Sequence, residues 1–182
     1  MTVSKGLVRA SQLMARLSLA AAVLTPLGTV LLFLFPDYVR AIGGDISITA
    51  HYGKLLMASV PLLWRMIALA FAIVPTAIAV WGLLALARLF RLFSAGDVFS
   101  PDALAALSRI TAALFWNVIA AFITEAPITY CLSQADLPGH RFISLGIGSD
   151  DVQLLFLAGV AFVIARVMAE ARRVADENAA FV

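Results

Sequence analysis

Glu125 is the side chain in this chain with the most chemistry to offer. It stands inside a long apolar stretch that begins at Ile110. An ionisable group within a membrane-spanning segment is costly and is a functional hypothesis by default. It would serve as a proton or cation site, or as a charge partner for Arg65 or Arg141. At ~1.5 Å per residue, Glu125 lies about 22 Å along the helix from Ile110, in the outer part of a bilayer rather than at its centre. Pro127 follows closely and reads as a helix end. The position favours a carboxylate facing outer-side water over an ion site. Asn117, nearer the midplane, reads as an interhelical hydrogen-bonding residue rather than a ligand.

His51, His140, Cys131 and Asp136 offer imidazole, thiolate and carboxylate groups, all plausible ligands for zinc or copper. None of them has diagnostic spacing, so they read as solvated loop residues, and no metal or cofactor is expected. The single cysteine cannot close an intrachain disulfide. The chain has no G-x-x-x-x-G-K, H-E-x-x-H or G-x-S-x-G motif. Gly146-Ile147-Gly148 precedes no strand–helix unit and reads as a loop. No enzymatic activity is expected.

The elements that must position these groups follow from composition. Of 182 residues, 63% are hydrophobic and 13% charged, against ~25% charged in ordinary soluble domains. A mean hydropathy of +0.99 leaves too little polar surface to cover a soluble fold. The net charge of +2, with no basic tract or stacking platform, argues against a nucleic-acid partner. A spanning helix needs about 20 mostly apolar residues. Leu17–Phe35 supplies 19 without a charge and Met66–Ala87 supplies 22. Two further stretches run from Ile110 to about Leu132 and from Val152 to about Ala169, with charge-free cores of 15 and 14 residues. Arg166, near the end of the last, can carry its guanidinium out to the headgroups. The first stretch is too long for a signal h-region and no small-residue cleavage site follows it, so it reads as a retained helix.

These stretches predict an all-α polytopic membrane protein: a single membrane domain over 1–182, four transmembrane helices in a compact bundle. The spans fall at about 17–35, 62–92, 103–132 and 150–173. Outer loops cover 36–61 and 133–149, and a cytoplasmic joint covers 93–102. Of the 13 Lys and Arg residues, nine fall on the side of the termini and the joint and four on the other. The positive-inside rule therefore puts both termini in the cytoplasm. Tyr38, Tyr52, Trp64 and Tyr130 fall on the outer side, where amphipathic rings favour the interface. In the first outer loop, Ile46-Ser47-Ile48-Thr49-Ala50-His51-Tyr52 alternates as a short strand or a surface-lying amphipathic segment would.

In lipid, helices meet through small residues. Ala68, Ala72, Pro75, Ala79 and Gly82 form such a stripe on the second span. Ala106, Ala113, Asn117, Ala120 and Thr124 do so on the third, Ser18, Ala22, Thr25 and Thr29 on the first, and Ala158, Ala161, Ala165 and Ala169 on the fourth. Pro26, Pro75 and Pro127 each free a carbonyl four residues back. That carbonyl needs a new partner in a membrane, and Thr25 and Thr76 stand beside two of these prolines. The prolines fit a static bundle better than a gate.

The most structured polar feature is the joint. Gly96 suits the left-handed position that ends a helix. Ser100 suits an N-cap, with Pro101 at the first helical position and Asp102 in the first turn. Phe90, Phe93 and Phe99 would hold the turn at the headgroups. The tail pairs Arg166/Glu170, Arg172/Asp176 and Arg173/Glu177 at i,i+4 on a helix leaving the membrane.

The Gly96-Asp97-Val98-Phe99-Ser100 turn, the following helix with Leu104, Leu107 and Ile110, and the tail Ala165–Ala171 ending in Asp176-Glu177-Asn178 and Val182 resemble the bacterial domain-of-unknown-function family numbered 2975. The resemblance covers mainly residues 80–182. It implies a small four-helix inner-membrane protein and supplies no catalytic residues. The expectation is a non-enzymatic sensor or regulatory subunit in the bacterial inner membrane. The expected partners are the bilayer and either a second protein, which this reading requires, or further copies of the chain. The alternative is a small oligomeric transporter or channel using Glu125.

Overall fold

A computed structural model of the chain describes residues 5–41, 60–98, 100–135 and 143–179. These residues are helical apart from short connections. Helix α1 covers Lys5–Leu34, α2 Pro36–Ala41, α3 Leu62–Ala95, α4 Pro101–Leu132 and α5 Ser149–Ala179, with a short 3-10 turn at Ser133–Ala135. The four long helices are each long and apolar enough to cross a membrane. They are longer than the four spans read from the sequence. α4 has 32 residues, or about 48 Å at ~1.5 Å per residue, against the ~30 Å of a hydrocarbon core. The alternating stretch 46–52, together with His51, His140, Arg141 and Asp136, lies outside the described residues.

The helix ends follow from local chemistry. α1 stops at Leu34, one residue before the Phe35-Pro36 step, where a helical conformation is disfavoured ahead of proline. α5 starts with one arm of a capping box: the Gly148 N–H donates to the Asp151 carboxylate at 2.9 Å, and the Gly148 carbonyl accepts the first helical bond, from the Val152 N–H. Asp150 and Asp151 sit in its first turn, where negative charge suits the helix dipole. Pro26, Pro75 and Pro127 all lie inside helices. Pro127 does not end α4, as its place in the sequence suggested. The helix runs on to Leu132, and one missing donor in a long apolar helix is tolerable.

Packing divides the chain into two compact units, and each of the four long helices contributes to both. One unit comprises Met1–Val23, Ala79–Phe115 and Gln153–Val182; the other comprises Leu24–Ile78 and Trp116–Val152. In the first, Leu89, Ala103, Ala106 and Leu107 form a core flanked by Leu92, Phe93, Ile110, Ala165 and Met168. In the second, Phe33, Val60, Ala68, Leu69, Ala72, Ile128, Cys131 and Leu132 form the core. Of 20 buried apolar residues among those described, 11 are alanine, while Val23, Leu63 and Phe156 are each more than two-thirds exposed. Small residues inside and large apolar ones outside is the reverse of a water-soluble fold. It is the distribution expected where the surrounding medium is itself as apolar as leucine.

Candidate functional site

Glu125 is not exposed to water on the outer side, as its depth in the sequence suggested. It is buried, 3% exposed. Both carboxylate oxygens accept hydrogen bonds from the segment ahead of α5: Ser144 Oγ donates to Oε1 at 3.2 Å, and the Gly146 N–H donates to Oε2 at 3.0 Å. One helical turn further, the fully buried Thr129 accepts the Ser144 N–H on Oγ1 at 3.1 Å. That hydroxyl also lies 2.9 Å from the Glu125 carbonyl. The reason is steric and electrostatic at once. The chain descends antiparallel to α4, so a carboxylate and a hydroxyl four residues apart meet amides two residues apart.

This clasp was only half legible. In sequence Glu125 stands out as a charge in an apolar run and Gly146 only as part of a loop, while nothing marks Thr129 or Ser144. The signals are polar groups at i,i+4 in the C-terminal half of an apolar helix, and a stretch in which Ser144, Gly146 and Gly148 alternate with Ile143, Leu145 and Ile147. Arg65 lies elsewhere in the same unit, with its guanidinium 3.5 Å from the Leu34 carbonyl at the end of α1. Its neighbour Trp64 packs edge-on against Tyr130, ring centroids 6.1 Å apart. Cys131 is buried in the apolar core of this unit. No cluster of metal-ligating side chains occurs among the described residues.

Asn117 donates through Nδ2 to the Pro75 carbonyl at 2.8 Å, joining α4 to α3. Beside it, Thr76 donates to the Ala72 carbonyl at 2.7 Å and stands 3.3 Å from the Thr29 hydroxyl of α1. Thr76 thus serves the carbonyl next to the one that Pro75 frees. Thr25 contributes its own carbonyl, to Thr29, rather than its hydroxyl. Of the small-residue stripes, Ala68, Ala72, Ala106, Ala113, Ala120, Thr124, Ser18, Ala22 and Ala158 are buried, and Ala79 and Gly82 are half-buried. Ala169 is exposed. At Gly82 α3 and α4 come close: a Cβ there would stand 2.8 Å from the Ala113 Cβ.

The joint is capped at both ends. Gly96 has φ 89°. Its N–H bonds the Phe93 carbonyl at 3.2 Å and the Asp97 N–H bonds the Leu92 carbonyl at 3.0 Å, the pair of bonds of a Schellman motif. Ser100 Oγ accepts the Ala103 N–H at 3.1 Å, with Pro101 opening the helix and Asp102 in its first turn. Asp102 also pairs with Arg88 at 2.8 Å, both side chains more than half exposed. Phe90 and Phe93 meet edge-on with centroids 6.4 Å apart, and Phe99 lies outside the described residues. In the tail, Arg173 bonds Glu170 at 2.6 Å and reaches Glu177 at 3.6 Å. Glu170 therefore takes the arginine three residues on, and Arg166 lies over the Phe162 ring.

No curated protein and no solved structure matches this chain. A family described as "Protein of unknown function (DUF2975)" matches residues 54–182. The match begins within the first connection and takes in all of α3, so it extends beyond the region from residue 80 onward that carried the resemblance in the sequence. With more than two-thirds of its length matched, the chain belongs to the DUF2975 family.

Proposed function

We propose that this protein is a multi-pass component of the bacterial inner membrane, with both termini cytoplasmic. In this reading it acts without enzymatic chemistry, as a sensor or regulatory subunit working through a protein partner. The observation that supports this over transport is the state of Glu125, whose two oxygens are taken up by Ser144 and Gly146 of its own chain. A transport carboxylate must exchange ligands, whereas this one holds a connection in place. Asn117 is similarly engaged, on the Pro75 carbonyl. The surfaces offered to a partner are the capped joint around Gly96 and Ser100 and the charged end of α5.

The test is purification in nanodiscs with mass spectrometry of the intact assembly. A stoichiometric second protein that is lost on Arg91→Glu, on α3 just ahead of the joint, supports the reading. A clean homo-oligomer sinks it. A small oligomeric transporter is then the reading to pursue, by measuring flux through proteoliposomes with Glu125→Gln, which a transporter coupled through this carboxylate would not tolerate.

A further inference from the structure

Residues 143–148 lead into α5 without forming a helix. Their bonding has a period of two. The N–H groups of Ser144, Gly146 and Gly148 go to Thr129 Oγ1, Glu125 Oε2 and Asp151 Oδ2 respectively. Two residues of extended chain cover about 6.6 Å, and the four residues from Glu125 to Thr129 rise about 6 Å along a helix. The match explains why alternate amides find alternate acceptors. Neither glycine has a positive φ, consistent with an extended path. The residues in between are Ile143, Leu145 and Ile147, exposed by 64%, 56% and 66%. Three large apolar side chains thus project from a strap whose Ser144 and Gly146 amides bond α4, while the Gly148 amide caps α5.

The level of the strap on α4 says what medium meets these side chains. Thr129, which holds Ser144, is the immediate neighbour of Tyr130, and Tyr130 packs on Trp64. Tyr and Trp collect at the membrane–water boundary. The strap therefore lies at the depth of the aromatic belt, where apolar side chains meet acyl chains. There its remaining backbone groups can still reach water or headgroups, which they need because hydrocarbon offers them no partner. An alternating Ile-x-Leu-x-Ile strip projecting into water beside a bilayer would be costly, at ~25 cal/mol for each Å² of apolar area.

We infer that Ile143, Leu145 and Ile147 form a lipid-interface anchor, inserted into the outer headgroup–acyl boundary and held at that depth by the Glu125–Thr129 clasp. The inference rests on the membrane placement proposed above and adds a lipid contact made by a non-helical segment. In the clasp, Glu125 acts as a positioning residue.

The experiment uses the full chain in phosphatidylcholine/phosphatidylglycerol nanodiscs, with Cys131→Ser as background and an environment-sensitive fluorophore on Leu145→Cys. A second probe on Val74→Cys, exposed on α3, reports on the membrane itself. The expected result is that spin-labelled lipids quench the Leu145 probe severalfold more than aqueous iodide does, most strongly with shallow labels, while the Val74 probe prefers deep ones. Ser144→Ala and Glu125→Ala should shift the Leu145 probe toward iodide, with Glu125→Gln between them and the original, because the amide oxygen still accepts one bond. Iodide quenching of Leu145 with Val74 still lipid-quenched overturns the anchor alone. Loss of lipid quenching at both overturns the membrane placement too. Protection from both quenchers at Leu145, with cross-linking between two Leu145→Cys copies, overturns the anchor in favour of a contact between copies.

Discussion

The side-chain amide of Asn117 on α4 donates to the backbone carbonyl of Pro75 on α3, at 2.8 Å. Asn117→Ala removes the donor and leaves the carbonyl in place. Interhelical hydrogen bonds between membrane helices are worth about 0.6 kcal/mol on average and at most about 1.7. Asn117→Ala should lower stability within that range in a detergent unfolding titration. Pro75→Ala should leave the Asn117 contribution intact, because the acceptor is backbone. A double-mutant cycle showing strong coupling of Asn117 to the proline ring would contradict this.

Gly82 permits a close approach between α3 and α4, and the limiting atom opposite is a single methyl group, the Ala113 Cβ, 2.8 Å from where a new Cβ would stand. Gly82→Ala should destabilise by about 1–3 kcal/mol, the usual cost of overpacking. Ala113→Gly in the same chain should restore most of that loss. Unfolding midpoints of the two single variants and the double variant check the rescue.

At the joint, backbone geometry should outweigh charge. Gly96 has φ 89°, and a left-handed conformation costs an alanine about 1–2 kcal/mol. Ser100→Ala loses an N-cap worth about 1 kcal/mol. Removing the exposed Arg88–Asp102 pair should cost less than about 1 kcal/mol and respond to salt. Hydrogen exchange at the amides of Ala103 and Leu104 should rise most for Ser100→Ala and least for Arg88→Ala; the reverse order would show that the ion pair holds the turn.

The orientation is testable without any function. A periplasm-active reporter fused after Val182 should be silent and a cytoplasm-active one should work. The same reporters fused within 136–142 should behave the other way round. Activity of the periplasmic reporter at Val182 would overturn the assignment made from the nine Lys and Arg on the side of the termini.

The sequence by itself determined the four apolar helices, the stripes of small residues and the caps at Gly96 and Ser100. Each of these rests on interactions within a few residues of one another: a run of apolar side chains, a 4-3 spacing, a turn that needs a left-handed residue. Tertiary structure alone decided what Glu125 does. In sequence it is a costly carboxylate in the outer part of a span, compatible with water, an ion or an arginine. Only the return of the chain brings Ser144 and Gly146, 19 and 21 residues away, onto its two oxygens. The same return turns the alternation at 143–148 into an apolar strip whose Ser144 and Gly146 amides bond α4. A hydrogen bond between distant segments depends on their register against each other, and no local pattern of residue types carries that register.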